Sequence, residues 1–243
     1  MDHKLNILSM IGKFFIKEYG YRKHQNIALH RFNGVYFYIP KNACSSLKVF
    51  YSDALGLTPP KPKEPHKLPH RRDFPYIDRE KIDDYDKYFK FTFVRNPWDR
   101  LVSCYHNKIK RNNVDFFRFR KGIPIEFYHR YGDLFFKDMT FEEFVEAVSS
   151  IPDSLSDPHF KSQASFITKN NKIIVDYIGK VENLEVDLNY INMRLGIDKD
   201  RVPPHLLKSS RSDYRDYYDS YTKQLVEERY HRDIELFKYE YYD

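Results

Sequence analysis

The chain has 243 residues, 41% of them hydrophobic and 17% aromatic, which is enough for one sizeable domain with a core and excludes a disordered chain despite a mean hydropathy of −0.72. A net charge of +6 and a pI near 9.0 suit an anionic partner, whether nucleotide, acidic polysaccharide, nucleic acid or membrane surface; a generally basic, solvated surface gives the same balance.

In chain order, "MDHKLNILSMIGKFFIKEYG" is an apolar run interrupted by Lys13, too short for a membrane span and without the cleavage pattern of a signal peptide. It reads as a short amphipathic helix against the body or a membrane surface, so peripheral membrane contact stays open, a transmembrane segment is not expected, and the setting reads as soluble and cytoplasmic. Residues 1–33 serve as this helix and its lead-in, and 34–243 form the core of a single domain. "GVYFYIPK" (34–41) is a mostly apolar run rich in β-formers, bounded by Gly and Pro, and predicts a buried strand. "SSLKVFYSDALG" follows as a helix, with Leu47, Phe50, Ala54 and Leu55 on one face, Ser45 or Ser46 as cap, and Gly56 past its end.

Residues 58–75 hold six prolines and read as an extended connection. "DREKIDDYDKY" predicts a short helix, "KFTFVR" (90–95) a second strand and "NPWDRLVSCYHNKIK" a second helix, with Asn96 as N-cap, Pro97 at its first position and Asp99 in its first turn. The stretch 110–131 is basic and aromatic without clear period; Lys110, Arg111, Arg118, Arg120, Lys121 and Arg130 there suit an acidic glycan, or the aromatics are core and the charges a solvated face. Thr140 and Glu143 form a capping-box pattern before "FEEFVEAV". "KIIVDYIG" (172–179) predicts a third strand, "VENLEVDLNYINMRLG" a helix ending at Gly196, and "YYDSYTKQLVEERYHRDIELFKY" one or two closing helices. Strands alternating with helices indicate an α/β fold with a central parallel sheet flanked by helices and ligands at the carboxyl ends of its strands. Cys44 and Cys104 are too few for a disulfide framework, lack metal-site spacing, and read as small apolar packing residues.

Two strand ends carry the chemistry. Lys41 closes the first strand and Arg95 the second, and each feeds a helix whose N-terminus already favours an anion. At the first, the Lys41 ammonium joins the hydroxyls of Ser45 and Ser46 and the backbone donors of Asn42, Ala43, Cys44, Ser45 and Ser46, a phosphate cradle made without glycine. At the second, Arg95 offers a planar fork, and Ser103 stands two helical turns on. Neither loop has the G-x-x-x-x-G-K-[ST] of a nucleotide kinase or ATPase, and G-x-G-x-x-G is absent. The ligand is therefore expected to present two separate anionic groups, one to each helix start.

"IPKNACSSLK" resembles the 5′-phosphosulfate loop of sulfotransferases, and "FVRNPWDRLVSCYHNK" resembles their 3′-phosphate motif, in the form found in the carbohydrate sulfotransferases of the HNK-1 and chondroitin/dermatan 4-O group. "YIGKVENLEVDLNYI" and "RYHRDIELFKYEY" are similar to later segments of that group, so the resemblance spans roughly residues 35–240. It implies a P-loop-NTPase-like three-layer fold and 3′-phosphoadenosine 5′-phosphosulfate (PAPS) as donor. Lys41 and the loop 42–46 would take the phosphosulfate, Arg95 and Ser103 the 3′-phosphate, and the acceptor would be a hydroxyl, most simply of a glycan. Asn96 stands for an acid of the family pattern, Trp98 for a Phe and Ser45 for a frequent Thr; the family's N-terminal membrane anchor has no counterpart, which favours a cytoplasmic version over a Golgi one.

Sulfuryl transfer, like phosphoryl transfer, needs positioning, charge neutralisation and a base. The candidate bases are His66 and His70 in "PHKLPH" and His159 in "SDPHFKSQ"; the resemblance favours His66, then His70, because in the resembling enzymes a catalytic His often lies before the 3′-phosphate strand, and Arg211 is a further candidate contact to donor or acceptor. No Asp/Glu/His cluster has ligand spacing, and no metal is expected. The competing reading is a non-catalytic anion or nucleic-acid binding module on the same fold, supported by the basic aromatic stretch; no nucleic-acid partner is expected if the enzyme reading holds.

Overall fold

The computed structural model describes residues 25–57, 76–110, 119–120, 123–198 and 212–243, and both expected strand–loop–helix passages lie in one sheet or leave from it. Its strands are β1 (Gln25–Leu29), β2 (Gly34–Phe37), β3 (Tyr76–Asp78), β4 (Phe89–Val94) and β5 (Tyr177–Lys180), in the order β3-β1-β2-β4-β5. β4 runs parallel to β2 and β5, whereas β1 is antiparallel to β2 and β3. The expectation of a parallel sheet is therefore corrected to a mixed one. Connection length is the reason: only the 3-10 turn His30–Phe32 and Asn33, at φ 49°, separate β1 from β2, and so short a link reverses the chain. β1 also lies inside the segment read from sequence as a lead-in.

The third expected strand, 172–179, splits in two. Lys172–Ile173 pairs antiparallel with Thr168–Lys169 around Asn170 and Asn171, both at positive φ, the conformation of a tight hairpin turn. Ile173 is exposed, so this apolar residue does not enter the core, and the chain joins the main sheet only from Tyr177.

The described chain forms two compact units, one with the residues up to Asn96, from Ser162 to 198 and from Glu235 to Asp243, the other with Pro97–Lys161 and 212 to Ile234. In the first, the sheet buries both faces. Ile27, Leu29, Tyr36, Phe91 and Phe93 point to one face and pack with Leu47, Phe50, Tyr51 and Ala54 of α1 (Cys44–Ala54). Leu188, Ile191 and Leu195 of the later helix Leu184–Leu195 complete that layer, and Gly196, at φ 68°, ends the helix as expected. Ala28, Val35, Phe37 and Val94 point to the other face, against Ala164, Phe166, Ile167, Phe237 and Tyr239. A two-sided sheet explains why β2 and β4 read as nearly unbroken apolar runs; each fully buried Phe or Ile contributes about 2 kcal/mol.

The second unit begins with α2 (Pro97–Tyr105), which continues as the π turn His106–Lys110. α3 (Ile125–Tyr131) and α4 (Phe141–Ser150) follow, and Ser220–Arg229 returns near the end. Thr140 caps α4, accepting from the Glu143 amide at 3.2 Å while Glu143 accepts from the Thr140 amide at 2.7 Å, the expected capping box. Phe127 and Tyr131, from the basic aromatic stretch, are buried with Phe135, Phe144 and Phe160, so these aromatics are core. Arg111, Arg118, Lys121 and the Arg120 side chain lie outside the described residues. Cys44 and Cys104 are both free thiols, and Cys104 is buried. Among the described residues no helix is long and apolar enough to cross a membrane.

Candidate functional site

β2 and β4 are adjacent and parallel in the register Tyr36↔Phe91 and Phe37↔Thr92, so their carboxyl ends emerge side by side. The Thr92 hydroxyl donates to the Phe37 carbonyl at 2.6 Å and fixes that edge. Beyond β2, the loop turns without glycine by placing Lys41 at φ 75° and Ala43 at φ 52°. A left-handed backbone costs a non-glycine residue roughly 1 kcal/mol or more, so neighbours must hold it. They do: the Asn42 amide donates to the Ile39 carbonyl at 3.3 Å, and Leu47 N–H reaches the Ala43 carbonyl at 3.1 Å. Asn42 is fully buried, and its side-chain NH2 donates to the Phe93 carbonyl at 2.8 Å and to Gln163 Oε1 at 2.7 Å.

α1 then starts at Cys44, with Ala43 at the N-cap position and no side-chain cap. Ser45 and Ser46 sit inside its first turn, which corrects the expectation that one of them caps the helix. Within that turn Ser45 is half-buried and Ser46 buried. One turn on, Lys48 is half-buried with its ammonium 3.2 Å from the Tyr38 ring centre, and burial lowers its pKa to about 8.

The second corner is bound to the first. Half-buried Arg95 follows β4, and its Nη1 donates to the Lys41 carbonyl at 3.0 Å. Gln163, fully buried, accepts the Arg95 amide at 2.9 Å through Oε1 and donates to the Arg95 carbonyl at 2.8 Å through Nε2. One carboxamide thus satisfies both backbone groups of Arg95 and holds Asn42 at the same time. Asn96 donates its amide to Glu182 Oε1 at 2.7 Å and its side-chain NH2 to the Glu240 carbonyl at 2.9 Å. Glu182 Oε2 also takes the Tyr239 hydroxyl at 2.9 Å, and burial together with that carboxylate pushes the phenol well above its ordinary value.

Within the second unit, Ser103 is half-buried on α2. On the same helix, buried Arg100 donates to the carbonyls of Lys161 at 2.8 Å and Pro158 at 3.1 Å, which fixes the segment carrying His159. His159 Nδ1 lies 2.6 Å from Asp157 Oδ1, which also accepts the His159 amide at 3.0 Å; Arg130 Nη1 is 3.7 Å from Oδ2. Burial by itself would raise the Asp157 carboxyl, but the adjacent His159 ring and amide, with Lys108, outweigh it and hold the pKa at about 2. An ionised carboxylate only accepts, so the Nδ1 that faces it carries a proton.

Of the residues singled out from sequence, the structure brings Lys41, Asn42 and Arg95 into one bonded network, with Ala43 next to them in the loop and Cys44, Ser45 and Ser46 on the helix it feeds. Ser103 and His159 belong to the other unit; His66, His70 and Arg211 lie outside the described residues. Sequence reasoning missed Gln163, Glu182 and Asp157. The Asp-x-His spacing of "SDPHF" was a legible sign of the last; nothing local marks Gln163, which lies 121 residues from Asn42.

The sulfotransferase family model matches residues 27–240. Similar proteins include carbohydrate sulfotransferase 11 of Mus musculus, 29% identical over 73% of this chain and 54% of its own, and carbohydrate sulfotransferase 14 of Danio rerio, 32% identical over 81% and 52%. Carbohydrate sulfotransferase 9 of Homo sapiens is 26% identical over 95% of this chain and 58% of its own. The chain therefore spans about half the length of these relatives, and no solved structure matches it. With a family match running from β1 to the last residues of the chain and enclosing both cationic corners, the chain belongs to the sulfotransferase family.

Proposed function

We propose that this chain moves a sulfuryl group from PAPS to a hydroxyl of a carbohydrate acceptor, on a three-layer fold of the P-loop-NTPase kind. The observation that carries the reading is the pair of cationic corners, Lys41 and Arg95, at the adjacent carboxyl ends of β2 and β4 and bonded to one another. A donor with two anionic groups fits this chemistry: a cation stands on each corner, and the first faces the start of an eleven-residue helix.

The donor supplies an activated sulfuryl group on a phosphate leaving group. Lys41 stabilises the negative charge that develops on the leaving oxygen, helped by the amides and hydroxyls of Ser45 and Ser46 at the helix start. Arg95, and by the family resemblance Ser103, hold the 3′-phosphate. A base takes the acceptor's proton; His66, His70 and His159 are the candidates, and the His159 ring is oriented by the ionised Asp157. The names of the relatives support a carbohydrate acceptor.

The test is a thermal-shift titration with 3′-phosphoadenosine 5′-phosphate, followed by transfer of labelled sulfate from the donor to a panel of glycans, lipids and phenols. The bisphosphate should raise Tm for the intact protein and not for Lys41→Ala or Arg95→Ala. No shift with the intact protein, together with salt-dependent oligonucleotide binding that survives Lys41→Ala, refutes the enzyme reading in favour of an anion-binding module.

A further inference from the structure

The Gln163 side chain makes three hydrogen bonds to the two corner loops. Its Oε1 accepts from Asn42 Nδ2 and from the Arg95 amide, and its Nε2 donates to the Arg95 carbonyl. Asn42 lies between the two left-handed residues, Lys41 and Ala43, so a bond to its side chain acts on the part of the backbone that most needs support. Arg95 closes the circuit by donating to the Lys41 carbonyl. Gln163 itself stands just before the one-turn helix Ala164–Ile167, whose Ala164, Phe166 and Ile167 are buried against the sheet, so the carboxamide is anchored from behind.

We propose that Gln163 is a positioning residue that sets the separation and orientation of the Lys41 and Arg95 loops, and so makes the site selective for a nucleotide with anionic groups at both the 5′ and 3′ positions. The inference rests on the donor reading above and adds a residue to it. Two direct links between the corners stay whatever stands at 163: Asn42 donates to the Phe93 carbonyl of β4, and Arg95 Nη1 donates to the Lys41 carbonyl. Loss of Gln163 therefore leaves the corners joined by those two bonds but loosens their separation and orientation, because the three bonds that brace Asn42 and the Arg95 backbone together are gone. A ligand that touches one loop is nearly indifferent to this. A ligand that bridges both must reorder them on binding and loses affinity.

The experiment measures by calorimetry the dissociation constants of 3′-phosphoadenosine 5′-phosphate, adenosine 5′-phosphate and adenosine 3′-phosphate for the intact chain, Gln163→Leu and Gln163→Glu. Gln163→Leu removes all three bonds and should weaken the bisphosphate by about tenfold or more, with the two monophosphates shifted by less than about threefold. Gln163→Glu retains both acceptor bonds but turns an oxygen towards the Arg95 carbonyl, so it should fall between the parent and Gln163→Leu, and it serves as the comparator if the leucine variant does not fold. An equal loss for all three ligands in either variant marks a merely structural role and overturns the proposal. If the intact chain binds none of them, the donor reading fails and this assignment falls with it. If the intact chain prefers the bisphosphate and both variants keep that preference, the donor reading stands and only the role of Gln163 is refuted.

Discussion

Replacing Asp157 by asparagine tests the electrostatics of the His159 segment quantitatively. The carboxyl is buried, its side chain 9% exposed, and its pKa falls from 3.8 to about 2 because the His159 ring and amide and Lys108 overcome the cost of burial. A folded pKa below the unfolded one means stability that is fully present above about pH 4 and is lost as the pH falls through 4 towards 2. The size of the shift corresponds to about 2 kcal/mol. The substituted carboxamide would keep the shape and one acceptor oxygen and remove the charge. Urea unfolding of both proteins at intervals between pH 2 and 5 isolates the contribution, since every other carboxylate is common to the two. The intact chain should gain about 2 kcal/mol more than Asp157→Asn across that interval. A stability difference that stays flat with pH would falsify the account, because it would mean that Asp157 titrates alike in the folded and unfolded chains.

Gly179→Ala would place a Cβ 2.7 Å from Phe93 Cε1 and 3.0 Å from Asp187 Cβ, both in packed positions, and should cost about 1–3 kcal/mol, seen as a lower urea midpoint with an unchanged slope. A midpoint equal to that of the parent would show that β5 and the helix Leu184–Leu195 are less tightly apposed than described. Lys48 has a folded pKa of about 8, below its ordinary 10.5, because burial disfavours its charged form; the folded state therefore gains stability as the pH rises from 8 to 10.5. Lys48→Met should accordingly be more stable than the parent at pH 7, with the gap narrowing by pH 10, and parallel pH profiles would count against it.

Much of the local architecture was legible because its causes act within a few residues. The capping box of Thr140 and Glu143, the left-handed stop at Gly196 and the passages from strand through cationic corner to helix all depend on neighbours within about one turn or one pleat. The short helix ahead of β4, the helix from Pro97 and the split closing helices follow from the same signals. The amphipathic rule failed where the causes were remote. In 172–179 a run of apolar residues implied one strand, but paired asparagines at positive φ made a hairpin of its start and left Ile173 outside the core. The serines expected to cap α1 were displaced inward because Lys41 and Ala43 took left-handed conformations that propensity alone disfavours.

What the amino-acid order determined by itself was the chemistry available: a lysine at one strand end, an arginine at another, hydroxyls after the first, and a motif pair shared with one family. The tertiary structure decided how those groups are held. Strand order is a choice among long-range pairings that no local pattern encodes, and it made β2 and β4 neighbours. A single buried carboxamide, Gln163, reaches Asn42 across 121 positions of sequence and Arg95 across 68, because a buried amide and a buried backbone group must each find a partner wherever the fold brings one. The absence of glycine in the first loop thus has a physical answer that only the structure gives: the turn is strained, and its neighbours hold it.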